Sequence, residues 1–214
     1  DPRMIGELTL GAVPSTIRGL IPKTAKRVVE RYPDLHIRVV PGVSPDLLEQ
    51  VEQGVLDAAV LSAPARVPSR LNWMPFVQEE LVLLTSAAVT QTDMRQILAT
   101  QPYIRHTRKA AVGLLAEEWL SRHKLTVQDA MEMSSFEDVV SMVAHGLGVS
   151  VGPNICVPDA IFSTLRRLPL GPDAPRRMLG VLTRADCSKL QLVQRVLEQL
   201  KAVVATALSR EFDA

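Results

Sequence analysis

The chain has 214 residues, of which 47% are hydrophobic, 22% charged and only 4% aromatic. That length fills one domain or two small lobes, and no apolar run, Val55 to Leu61 included, approaches the ~18 residues of a membrane-spanning helix. With 24 Lys+Arg against 23 Asp+Glu mixed along the chain, it lacks the basic stripe with which proteins grip duplex phosphates.

Asp1-Pro2-Arg3-Met4 leads straight into a strand and does not look like a signal peptide. The lack of an initiator Met points to a piece of something longer. Ile5 to Gly11 reads as the first strand. Ser15 and Thr16 then open a helical pattern with Ile17, Leu20, Ile21, Ala25, Val28, Val29 and Tyr32 along one face, with Pro22 in the first turns, where its missing N–H is tolerated. After Tyr32-Pro33-Asp34, residues Leu35, Ile37 and Val39 alternate as a second strand. Gly42-Val43-Ser44-Pro45-Asp46 marks a helix start, with Ser44 as cap and Pro45 at the first helical position. Leu47, Leu48 and Val51 form its buried face, and Gly54 is a left-handed stop. Leu56 to Leu61 suits a strand buried on both faces. Strand–helix–strand–helix–strand implies a parallel sheet.

Asn72 to Ser86 is too long for one ordinary strand, and carries Gln78-Glu79-Glu80 in its middle. It reads as a strand that leaves a first lobe and enters a second. Next come a short helix over Asp93–Leu98, a strand at Tyr103-Ile104, and a helix over Ala110–His123 with Leu114, Leu115, Trp119 and Leu120 inward. Val127–Met133 is the next strand. Ser134-Ser135-Phe136-Glu137 reads as a capping box before a helix with Phe136, Val139, Val140, Val143 and Ala144 on its apolar face. Gly146 ends that helix, and Leu147–Gly152 is another buried strand. Arg176–Arg184 is extended and returns the chain to the first lobe, where Leu190, Val193, Leu197, Leu200, Val204 and Leu208 line a long amphipathic helix. The expected fold is α/β, with two Rossmann-like lobes joined by two crossover strands: residues 1–78 with 181–214, and residues 79–180.

Several segments together resemble the effector-binding domain of LysR-type transcriptional regulators: Gly6-Glu7-Leu8-Thr9-Leu10-Gly11, Leu20-Ile21-Pro22, Arg31-Tyr32-Pro33-Asp34, Gly54-Val55-Leu56-Asp57-Ala58-Ala59-Val60, Glu79 to Leu84, and Val139-Val140 through Gly146 to Pro153. The resemblance implies a periplasmic-binding-protein type II-like fold that takes a small effector, often an organic anion, in a cleft between lobes. It also implies a self-associating protein, dimer or tetramer, with the first helix and the Leu35–Val40 strand as the dimer surface; Cys156 and Cys187, which form no disulfide framework, read as those of a reduced, cytoplasmic protein. DNA would be bound only through an N-terminal winged helix-turn-helix that would precede Asp1. No cofactor, metal or membrane is expected. A solute-binding protein for a small anion shares this architecture and is the alternative reading.

The chain's own pattern leads to the same place, since crevices at the carboxyl ends of parallel strands are the usual ligand sites of open α/β sheets, and helix starts offer free N–H groups to anions. Candidate effector contacts are Ser15 and Thr16, Val43 and Ser44, then Arg105, His106 and Thr107 after the second-lobe strand. Arg105 would suit a carboxylate with a two-pronged hydrogen bond. Ser134, Ser135 and Phe136 come next along the chain, with Pro153 and Asn154 at the rim. Each serine and threonine has helix capping as its plainer role, and Arg108 and Lys109 read as surface charges.

Other patterns carry no chemistry. Gly148-Val149-Ser150-Val151-Gly152 matches a hydrolase nucleophile elbow, but that turn needs a strand before the serine and a helix after it; here the order is reversed, and no enzyme is expected. The four histidines have no zinc spacing, and Met131 and Met133 alternate as core residues. Cys156 and Cys187 supply neither a disulfide framework nor metal ligands. A redox role for Cys156 would need Cys187 as partner and a cationic setting that the sequence does not show.

Overall fold

The computed structural model describes residues 5–212; the stretch expected to lead from Asp1-Pro2-Arg3-Met4 lies outside them. The chain forms two compact units: residues 1–77 with 178–214 make unit 1, and residues 78–177 make unit 2. Two long strands, β4 (Leu71–Thr85) and β9 (Arg176–Arg184), are shared by both.

In unit 1, β1 (Gly6–Ala12) lies parallel to β2 (Leu35–Pro41) on one side and to β3 (Ala58–Ser62) on the other. The β9 strand then pairs antiparallel with β3, Val60 opposite Val181. Every residue of β3 is buried, as its unbroken apolar run requires of a strand covered on both faces. The first helical pattern divides in two: α1 (Pro14–Ile17) and α2 (Leu20–Arg31), separated at Arg18-Gly19. Leu20, Ile21, Thr24 and Val28 form the buried face of α2, which packs against α8 (Leu190–Phe212). The latter buries Val193, Val196, Leu197, Leu200, Val203 and Val204.

In unit 2, β4 pairs antiparallel with β7 (Ser150–Pro153) and β8 (Arg166–Pro169), so that Leu83 lies between Val151 and Leu168. The β5 (Pro102–His106) and β6 (Gln128–Met133) strands are parallel, and Tyr103 bridges in parallel to Val149. Successive β4 side chains point to opposite faces and feed two cores. Leu81 and Leu83 join Ile97 and Leu98 of α4 (Met94–Thr100) and Trp119 and Leu120 of α5 (Ala111–Arg122). Val82 and Leu84 join Phe136, Val139 and Val143 of α6 (Phe136–Ala144), with Phe162 of α7 (Ala160–Ser163).

Neither α7 nor β8 is expected from the sequence; at four residues each they are too short for a periodic signal. Leu114, expected inward, is 45% exposed, while Val112, Ala116 and Trp119 are buried; the apolar stripe of α5 is rotated from the one expected. Of the expected serine caps, Ser44 is displaced and only one of the Ser134-Ser135 pair serves. Val43 holds the cap position of α3 (Ser44–Glu52), because the Ser44 hydroxyl accepts the Ser62 N–H at 3.2 Å instead. Ser135, not Ser134, caps α6, accepting the Asp138 N–H at 3.2 Å.

Candidate functional site

Parallel strands end on a common edge, and each unit has one. In unit 1 the edge is made by the residues just beyond β1, β2 and β3. Thr16 is buried and its hydroxyl donates to the Val13 carbonyl at 2.8 Å. Ser15 is buried beside it. Gly42 N–H donates to the Ala12 carbonyl at 3.2 Å, which draws the start of α3 alongside the end of β1. Ser44 and Ser62 are joined by their hydrogen bond, so Ser15, Thr16, Val43 and Ser44 lie with Ser62 around three strand ends. Ser62 gives no signal in the sequence because it ends a strand that reads as wholly apolar.

In unit 2 the parallel register sets His106 beside Met133, and the Thr107 N–H donates to the Met133 carbonyl at 3.0 Å. That holds the β5 end next to Ser134 and Ser135. The Phe136 ring lies 5.9 Å from the His106 ring and is seated on β7 at Gly152, where an added Cβ would collide with the phenyl edge. Gly113 likewise lets the first turn of α5 press against the Thr107 carbonyl. Pro153 and Asn154 close the edge; the Asn154 N–H donates to the Glu80 carbonyl at 2.8 Å. Its side-chain Oδ1 is buried and has no hydrogen-bond partner among the described residues. Buried polar atoms are rarely left so.

Arg105 already carries carboxylate partners: its Nε and a terminal nitrogen donate to Asp129 at 2.9 and 3.0 Å, and its other terminal nitrogen bonds Glu117. Arg108 bonds the same Glu117 at 3.1 Å. His106 is 7% exposed; burial and then the charge of Arg177 pull its pKa down to about 4, against a weaker opposing pull from the Ser134 backbone. It is therefore a neutral imidazole at pH 7.

Beneath this edge lies a pair that the sequence does not announce. Glu79 and Arg177 have side chains only 2% exposed and are joined at 2.6 Å. The second Glu79 oxygen accepts the Cys156 N–H at 2.7 Å. Glu79 stands out in the sequence only as a polar interruption in a long strand, and its partner is 98 residues away. Cys156 is itself buried, and burial, then the Glu79 charge, push its thiol far above the ordinary value. That is the reverse of an activated thiolate. Ser150 is fully buried, and its hydroxyl donates to the Ile104 carbonyl at 2.7 Å, so the elbow-like motif places no exposed nucleophile. Met131 and Met133 pack on the unit 2 core. Among the described residues no cluster of His, Cys, Asp and Glu could hold a metal, and no helix is long and apolar enough to cross a membrane.

Residues 3–205 match the LysR substrate binding domain. The chain belongs to that family. Among its curated relatives, the HTH-type transcriptional regulator YraN of Bacillus subtilis is 26% identical over 159 residues, covering 72% of this chain and 52% of that protein. A probable hydrogen peroxide-inducible genes activator of Mycobacterium avium is 26% identical over 200 residues, covering 88% and 62%. The chain thus spans about half to two thirds of the length of these relatives. Its fold is that of the OxyR regulatory domains. The reduced OxyR2 domain of Vibrio vulnificus superposes with a TM-score of 0.76 at 19% identity, covering 95% of this chain and 98% of that one. The reduced OxyR domain of Pseudomonas aeruginosa gives 0.72 at 20%, covering 92% and 95%. This LysR-type effector-binding domain therefore has the type II periplasmic-binding-protein-like α/β fold expected of it. Relatives named as regulators do not favour the solute-binding alternative.

Proposed function

We propose that this domain is the small-molecule sensor of a bacterial LysR-type regulator, with no catalytic step of its own. The effector is held at the unit 2 strand ends, by His106, Thr107, Ser134, Ser135, Phe136, Pro153 and Asn154; Ser15, Thr16, Val43 and Ser44 are the corresponding candidates at the strand ends of unit 1. The observation that carries this reading is the unit 2 edge itself, where the ends of β5, β6 and β7 come together and the His106 ring lies 5.9 Å from the Phe136 ring.

The effector is a small anion, but its charge is met by main-chain groups rather than by Arg105. The α5 helix has no acidic residue in its first turn and no side-chain cap, so no carboxylate of its own opposes an anion at its positive dipole end. The α6 start, with Glu137 and Asp138 in its first turn, is less welcoming. Copies of the chain associate through α2 and β2, as the family resemblance implies. That proposal is supported by the place of β2 at the end of the strand order and by Val29 of α2 being 42% exposed. DNA is reached through a winged helix-turn-helix preceding this domain in the whole protein. An effector shifts such a regulator only by binding one of its conformations better than another.

A thermal-shift screen with small carboxylates, amino acids and aromatic acids tests the reading, because ligand at 100 times its Kd adds about 2.7 kcal/mol to stability. The hit should lose affinity in Asn154→Ala and in Ser135→Ala, measured by calorimetry. Unchanged affinity in both variants would reject the site, and a panel without a hit would reject the small anion.

A further inference from the structure

The two strands shared by the units carry a buried ion pair at the point of passage. Unit 2 begins at Gln78 on β4 and ends at Arg177 on β9, so Glu79 and Arg177 stand at its entrance and exit. The Arg177 Nε donates to Glu79 Oε1 at 2.8 Å, and a terminal nitrogen donates to the same oxygen at 2.6 Å. Oε2 takes the Cys156 N–H at 2.7 Å. One residue further along β4, the Glu80 carbonyl takes the Asn154 N–H. Glu79 therefore ties together three segments: both shared strands and the turn after β7, where Pro153 and Asn154 lie.

Stability alone does not explain such a pair, since well-packed apolar residues of similar volume usually do as well as a buried ion pair or better. Nor does register require burial. The next pair along, Glu80 with Arg176 at 3.7 Å, marks the same alignment with side chains 42% and 57% exposed. What the buried pair adds is a rigid, directional link from the β7 turn to two strands at once.

We propose that Glu79 is a positioning residue that couples events at the unit 2 strand ends to both shared strands, with Arg177 as its partner. The proposal rests on the reading of Asn154 and His106 as ligand contacts. A ligand that draws on Asn154 moves the peptide groups of Asn154 to Cys156, with them the Glu79 carboxylate, and through it Arg177. A change in the ring dipole at His106 acts on the Arg177 charge that it faces.

The test needs no ligand. In the 15N-labelled chain, His106→Asn and Asn154→Ala serve as perturbations, and the amide resonances of Val77, Gln78, Met178 and Leu179 are read. Both substitutions should shift those resonances in the native background. In a Glu79→Met/Arg177→Met background the shifts should be lost, while those of Thr107 and Ser135, close to the perturbations, remain. Equal shifts in the two backgrounds, or none in the native one, would overturn the coupling. Should the methionine pair not fold, Glu79→Asp, which withdraws the carboxylate from Cys156 by one methylene, is read in the same way. Silence in the ligand screen bears on the strand-end site, whereas these shifts bear on the link alone.

Discussion

Arg105 holds Asp129 with two parallel hydrogen bonds, Nε to Oδ1 at 2.9 Å and a terminal nitrogen to Oδ2 at 3.0 Å. This joins the two strands of the β5–β6 pair through side chains as well as backbone. With the side chain only 14% exposed, the guanidinium is a structural group. Arg105→Ala should lower stability by about 1 kcal/mol, because it removes the two-pronged link between β5 and β6 and leaves the part-buried Glu117 to Arg108 alone. Arg105→Lys should recover only part of that, since an ammonium cannot fill a two-pronged site. Urea unfolding of both variants measures this, and equal stability of Lys and Arg would contradict it.

His106 makes stability depend on pH. Its folded pKa of about 4 lies below the ordinary 6.5, so below pH 6.5 the unfolded chain binds a proton that the fold refuses. Stability should therefore fall as pH drops from about 6.5 to about 4, and the His106 contribution to that fall is about 3 kcal/mol. Denaturation at stepped pH should give a shallower fall for His106→Asn. The His106 imidazole proton resonances of the native chain should stay at their neutral positions down to about pH 5.

The two thiols should differ in reactivity. Cys156 is buried with its thiolate disfavoured by burial and by Glu79, whereas Cys187 is half-buried. Iodoacetamide at pH 8 should label Cys187 in the native chain and reach Cys156 only on unfolding. Mass spectrometry of tryptic peptides reads the outcome directly, and native labelling of Cys156 would show that this turn opens.

Two glycines hold the unit 2 edge together, and their replacement should differ in severity. Gly152→Ala drives a methyl into the Phe136 ring, a side chain that can turn aside at a cost of about 1–3 kcal/mol. Gly113→Ala drives it into the Thr107 carbonyl, part of the backbone, with the His106 carbonyl 2.7 Å away. It should destabilise more, and thermal unfolding should rank the two.

Much of the fold is written locally. The alternating and 3.6-residue patterns locate the strands and helices of both units apart from the four-residue α7 and β8, and the shared strand Arg176–Arg184 has the bounds expected of it. The errors lie where a local rule met a distant partner. Ser44 looks like a cap until Ser62 claims its hydroxyl from 18 residues away. Leu114 looks inward because α5 offers two overlapping stripes, and only packing selects one. For the candidate site, residue types at strand ends were legible, but their availability was not. Nothing near Arg105 in sequence announces Asp129 or Glu117, and nothing near Glu79 announces Arg177, because parallel pairing and chain return bring together residues that no window of sequence contains.

Unit 2 enters and leaves through adjacent positions: the Leu81 N–H donates to the Pro175 carbonyl at 2.8 Å. A segment whose two ends already touch can be exchanged as a cassette, since its host sees only a short gap to be bridged. Residues 78–177 are thus a natural unit for grafting. The corresponding segment of a relative could be spliced in at two neighbouring joints, leaving the rest of the chain untouched.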